Sequence, residues 1–88
     1  MRWSIEFTKT AEREFSAIDN SERQYIASRL DWLVENFESI KPIPLHQECK
    51  GYFKFRVGDW RVVYVFEMTK DVIIIHHVDR RDKIYKRT

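Results

Sequence analysis

The stretch from Tyr52 to Tyr64 constrains the fold most, because two alternating runs, YFKFRV and WRVVY, flank Gly58-Asp59. That dipeptide suits a two-residue turn with a positive φ at Gly58, so the runs should close as a β-hairpin. The turn then sets the register. Val57 falls opposite Trp60, Arg56 opposite Arg61, Phe55 opposite Val62, Lys54 opposite Val63 and Phe53 opposite Tyr64. Directly paired residues share a face, so Phe53, Phe55, Val57, Trp60, Val62 and Tyr64 make an apolar side while Lys54, Arg56 and Arg61 gather on the other. Like charges across a ladder repel. Such a face calls for an anion, either a phosphate or a partner's carboxylate.

The rest of the chain supplies what the apolar side needs to be covered. Trp3, Ile5 and Phe7 alternate with polar residues, the pattern of a half-buried strand. Thr8 or Thr10 can cap a helix carrying Ala11, Phe15 and Ile18 at helical spacing. Asp19 and Glu22 have the spacing of a capping box, and a second helix follows to about Phe37, with Ile26, Leu30, Leu33, Val34 and Phe37 as its apolar stripe. Residues 38–50, with Pro42 and Pro44, read as a loop. Beyond the hairpin, Val72-Ile73-Ile74-Ile75-His76-His77-Val78 is a β-branched run suited to a buried strand. Its register against residues 60–67 stays open, because the connection at 68–71 permits either parity. The chain ends in a short basic tail. The order is βααβββ: an α+β fold in which a helical hairpin packs on a mainly antiparallel sheet.

Composition bounds the scale. With 88 residues, 43% of them hydrophobic and 15% aromatic, the chain builds one core and one domain spanning 1–88. The net charge is +2, but residues 1–48 carry 6 Lys and Arg against 9 Asp and Glu, a balance of −3, and residues 49–88 carry 10 against 5, a balance of +5. The C-terminal half is thus the side that would attract an acidic partner, nucleic acid first, with a solvated basic surface as the plainer alternative. Cys49 is the single cysteine, which excludes an internal disulfide and a zinc site built from several thiolates. No segment has the apolar length of a secretory signal or a membrane span, so a reducing, cytoplasmic setting away from membranes is expected.

The βααβββ order, with Phe53-Lys54-Phe55-Arg56-Val57, Trp60-Arg61-Val62-Val63-Tyr64 and Val78-Asp79-Arg80-Arg81-Asp82-Lys83-Ile84-Tyr85, resembles the RelE/ParE superfamily of toxins from type II toxin–antitoxin pairs. The resemblance covers essentially the whole chain and rests on the order and spacing of these pieces together. It implies a cognate antitoxin as partner and one of two activities. RelE-like members cut messenger RNA on the ribosome, whereas ParE-like members act on DNA gyrase and lack the nuclease residues. In the RelE-like branch a ribose 2′-OH attacks the neighbouring phosphate, leaving a cyclic phosphate and a 5′-OH. That chemistry needs a base, charge stabilisation and an acid, and calls for no metal or other cofactor.

The resemblance matches five positions of this chain to that branch's polar residues. Lys54 and Arg56 stand at the two basic strand positions, Arg61 at the hairpin arginine, Arg81 at the C-terminal arginine and Tyr85 at the C-terminal tyrosine. Arg56 and Arg61 carry planar forks suited to nonbridging phosphate oxygens and to the extra charge of a phosphorane-like transition state. Lys54 is the general-base candidate. Arg81 would stabilise the leaving 5′-oxygen, and Tyr85 offers a ring for stacking and a hydroxyl for a proton relay. Arg80, Lys83, Lys86 and Arg87 are the RNA-binding candidates of the basic end. Where many relatives have His before the C-terminal arginine, this chain has Arg80, with His76 and His77 a little earlier.

Plainer roles stand beside these. Lys54 and Arg56 also fit ordinary outward strand residues, Tyr85 fits a packing anchor, and Cys49 fits a small buried or loop residue. Trp60 and Tyr64 share the apolar side and read as core. The histidines lie in an apolar strand where structural packing outweighs acid–base work, one expected to face the core and the other able to reach the cationic side. The retained set favours a ribosome-dependent messenger RNA endonuclease, with ribosome and message as partners, over a gyrase inhibitor or an inactive orphan that only binds an antitoxin.

Overall fold

The structure, a computed structural model, describes residues 3–45 and 51–80. Its elements are β1 (Ser4–Phe7), α1 (Lys9–Ser16), α2 (Asn20–Asn36), β2 (Ile43–Pro44), β3 (Phe53–Val57), β4 (Trp60–Glu67) and β5 (Val72–Arg80). The strands form one sheet in the order β1-β5-β4-β3-β2. Every pairing is antiparallel except β1 with β5. The α+β fold expected from the sequence is present, with one strand more than the pattern announced. Residues 43 and 44, read as loop, pair with Lys54 and Phe53 as β2. An edge strand of two residues leaves no alternation to read, and Pro44 is tolerated there because an edge has one side without a ladder to feed.

The helices form where their apolar stripes predict. The Ala11 N–H donates to Thr8 Oγ1 at 3.1 Å, which makes Thr8, not Thr10, the cap of α1. Asp19 stands at the start of α2 but makes no side-chain cap bond to the helix. Its carboxylate instead accepts the Ser21 hydroxyl at 2.9 Å, so the expected capping box does not form. Arg23 ties the corner between the helices by donating to the carbonyls of Ile18 at 2.9 Å and Ser16 at 3.3 Å.

One side of the sheet is buried under the helices. Ala11 and Ile18 meet Ile26, Leu30, Leu33 and Phe37 of the second helix over Val57, Val62, Tyr64, Ile73, Ile75 and Val78, with Trp3 at one end. Phe37 packs edge-on against Tyr64 and Phe66, and Phe53 stacks on Tyr64. Nearer solvent, Trp32 lies parallel to Phe55, 6.3 Å between centroids, and the Arg29 guanidinium sits 4.8 Å from the Trp32 ring centre. Burial pushes the Tyr64 phenol up to about 12, so this hydroxyl stays neutral near physiological pH.

The connection left open by the sequence is a four-residue turn between Glu67 and Val72, which pair. Asp71 takes the left-handed conformation there, φ 53°, which aspartate tolerates better than bulky residues. Further along, the β4–β5 register shifts by one residue, with Val63 opposite His77 and Tyr64 opposite Ile75. The extra residue, His76, makes a β-bulge. It is required because Ile75 and Val78 both point into the core although they are three positions apart.

β5 also runs past the end of the shorter β1, whose last partner is Ile75. There the Val78 N–H would lack a strand partner, and it donates instead to Glu14 Oε1 of α1 at 2.9 Å. The other carboxylate oxygen lies 3.5 Å from His77 Nδ1. Glu14→Ala leaves a part-buried amide unsatisfied and is expected to cost about 1–3 kcal/mol. Urea unfolding of the variant checks this, with an unchanged midpoint speaking against the clip.

Candidate nucleic-acid interface

The hairpin register is the one set by the Gly58-Asp59 turn: Val57↔Trp60, Arg56↔Arg61, Phe55↔Val62, Lys54↔Val63 and Phe53↔Tyr64. Gly58 takes φ 59°, as that turn requires. Lys54, Arg56 and Arg61 therefore share the sheet face turned away from the helices. Arg56 is exposed and Lys54 half-buried.

Arg61 departs from expectation. It lies on the expected face, outside the apolar cluster, yet only 3% of its surface is accessible. Its strand is the cause, because β4 lies third of five and is flanked on both sides. In the ladder Arg61 stands between Arg56 on β3 and Asp79 on β5. The row that calls for an anion thus has one carboxylate of its own. Asp79 is the carboxylate paired into the Arg56 and Arg61 row, and Glu6, opposite Ile74, and Glu67, opposite Val72, lie farther along the same face. Arg61→Ala would perturb packing and charge together, which makes Arg56→Ala the cleaner probe of anion binding.

Arg80 lies on the other side. It pairs with Trp60, a residue of the apolar face, and its guanidinium sits 5.1 Å from the Trp60 ring centre. The pleat puts Asp79 rather than Arg80 in the Arg61 row, so Arg80 does not join the Lys54 and Arg56 face as an RNA-binding residue there. Trp60 is half-buried and packs on the core, as read from the sequence.

Neither histidine faces the core. His76, the bulge residue, is half-buried and meets the ring of Tyr52 edge-on, with centroids 5.3 Å apart and planes at 82°. His77 is turned toward Glu14 and is largely exposed. The sequence left open which histidine reaches the cationic side: His76, next to the inward-facing Ile75, reaches it by alternation, and the bulge keeps His77 out of the core. Tyr52 was overlooked as a member of this face. Extending the hairpin alternation back from Lys54 by two positions would have found it. Arg81, Lys83, Tyr85, Lys86, Arg87 and Cys49 lie outside the described residues.

Comparison with known proteins places this geometry in a family. Residues 5–85 match the family model described as the ParE toxin of the type II toxin–antitoxin system, parDE. No curated protein sequence matches the chain. Among solved structures, the RelBE2 toxin–antitoxin complex from Mycobacterium tuberculosis is similar at 23% identity and TM-score 0.80, covering 92% of this chain and 100% of the other. The isolated E. coli RelE toxin is similar at 18% identity and TM-score 0.74, over 97% of this chain and 93% of the other. The YoeB dimer from Staphylococcus aureus is similar at 20% identity and TM-score 0.71, over 92% and 99%. At these identities the likeness establishes the fold.

Proposed function

This chain belongs to the ParE toxin family of type II toxin–antitoxin systems, and we propose that it acts as a ribosome-dependent messenger RNA endonuclease. The observation that carries the reading is the basic row itself: Lys54 and Arg56 on one strand, Arg61 across from Arg56, all on the face away from the helices. Three cations concentrated on one sheet face are suited to a scissile phosphate and its neighbours.

In the proposed reaction Lys54, once deprotonated, takes the proton of the ribose 2′-OH as that oxygen attacks the adjacent phosphorus. Arg56 and Arg61 stabilise the charge that accumulates on the nonbridging oxygens, and the bond to the 5′-oxygen breaks to leave a 2′,3′-cyclic phosphate and a 5′-OH. Arg81 is proposed to stabilise the leaving oxygen, and the Tyr85 hydroxyl to give it the proton that makes it a 5′-OH, regaining one from solvent. A preorganised cation aimed at developing charge contributes about 3–4 kcal/mol, a hundredfold to a thousandfold in rate. A cognate antitoxin is the proposed regulator. Its carboxylates would meet the same cations, giving an association that weakens as salt rises.

A second reading has a specific observation behind it, since the matched family is that of ParE toxins. It is inhibition of DNA gyrase, with the cationic face used for binding alone. Two assays on the purified chain separate the readings: primer extension on ribosome-bound message, and gyrase supercoiling. Message cut with gyrase untouched supports the nuclease. Gyrase blocked with message intact supports the second reading.

A further inference from the structure

We infer that Tyr52 is a stacking platform for a base of the bound RNA, an inference that rests on the proposed nuclease function and adds the recognition element beside its cations. Exposed aromatic rings on this chain include Tyr25, Trp32 and Tyr52. Tyr25 and Trp32 belong to α2, the helix that covers the apolar side. Tyr52 differs in where alternation puts it. Phe53 stacks on Tyr64 within the apolar side, so Tyr52 points the opposite way, onto the face of Lys54 and Arg56.

The backbone and the ring are both held. The Tyr52 carbonyl accepts the Leu45 N–H at 2.9 Å, extending the β2–β3 ladder by one step. His76 meets the ring edge-on at 5.3 Å, an arrangement aromatic quadrupoles favour. The residue nevertheless keeps 38% of its surface open. A side chain already restrained loses little rotamer freedom when a ligand arrives, which makes it a better contact than a free one.

Spacing supports a nucleotide as the occupant. Two strand residues apart is about 6.6 Å along the backbone, so a phosphate at Lys54 leaves an adjoining base within reach of the ring. Cations that follow a nucleic-acid backbone, with an aromatic face for a base, are the usual means of gripping a single strand. His76 follows the inward-facing Ile75 and so takes this face by ordinary alternation, which sets it against the Tyr52 ring.

The plain alternative is that Tyr52 merely shields Val63, a buried residue on the same face. Leucine would shield Val63 as well as tyrosine does but has no π-face, so the substitution series separates the two. Tyr52→Phe, Tyr52→Trp, Tyr52→Leu and Tyr52→Ala are compared for cutting of ribosome-bound message, with the melting temperature of each variant recorded. Expected is a rise of about fivefold to a hundredfold in the half-saturating toxin concentration for Leu and Ala, with a smaller change in the rate at saturation. Phe and Trp should rescue binding. If Leu performs as Phe does, or Phe fails as Leu does, the stacking role is overturned while the nuclease stands. If the wild-type chain cuts no message, both fall.

Discussion

Lys54→Arg is expected to lose message cutting by about a hundredfold to ten-thousandfold, the range in which a positioned general base contributes, while the protein folds as before. The substitution keeps the positive charge and the strand position. What it removes is the ability to release a proton, because a guanidinium stays charged at any pH a protein survives. Lys54 is half-buried on the open face and pairs with Val63 rather than with another charge, so the exchange disturbs no core contact. Lys54→Ala should fail to a similar degree. Single-turnover cutting on programmed ribosomes, with thermal melts alongside, measures both quantities. Cutting by Lys54→Arg at the wild-type rate would show that Lys54 serves only as a charge.

A large loss of stability is expected at Leu30. Its surface is 4% accessible, and it lies with Ile26 and Leu33 in the cluster that α2 contributes to the core. Leu30→Ala should cost about 2–5 kcal/mol through lost burial and the cavity left behind. A domain of this size is stable by only about 4–13 kcal/mol, taking 0.05–0.15 per residue, so the loss is a large share of the total. The melting temperature should fall by on the order of 10 °C or more. Leu30→Met, which nearly conserves volume, should cost less than about 1.5 kcal/mol. Equal urea midpoints for Leu30→Ala and the wild type would contradict the packing of α2 on the sheet.

The hairpin was legible in the sequence because two independent signals agree there. A Gly-Asp turn fixes the register, and strict alternation fixes the faces, so one slip would have put Phe53 and Phe55 in water. The stripe of α2 was legible for the same kind of reason, each apolar residue recurring at helical spacing. Alternation, however, tells which face a side chain takes and not how many strands flank it. Arg61 is assigned to the right face and the wrong depth, since only the sheet order places β4 between β3 and β5.

The β5 residues were hidden by a different cause. His76 is inserted where Ile75 and Val78 must both face inward, and a bulge of one residue reverses the parity of everything beyond it. A reading from the Ile73-Ile74-Ile75 run could not say whether Asp79 or Arg80 joins the Arg61 row. The structure puts Asp79 there and lays Arg80 over Trp60. The two residues of β2 carry too little pattern to be read at all. The basic face is therefore legible at Lys54 and Arg56, deeper than alternation shows at Arg61, and shared by Tyr52 and His76.

The central claim is that the basic face assists a 2′-OH attack within RNA. Its most direct test uses two ribosome-bound messages that differ only at the cut position, one all-ribose and the other carrying a single 2′-deoxynucleotide there. The purified wild-type chain should cut the first, leaving a 5′-OH that a kinase labels without prior phosphatase treatment, and leave the second intact. Cutting of the deoxy-substituted message at the same position, or an all-ribose message left whole while gyrase is inhibited, would contradict it.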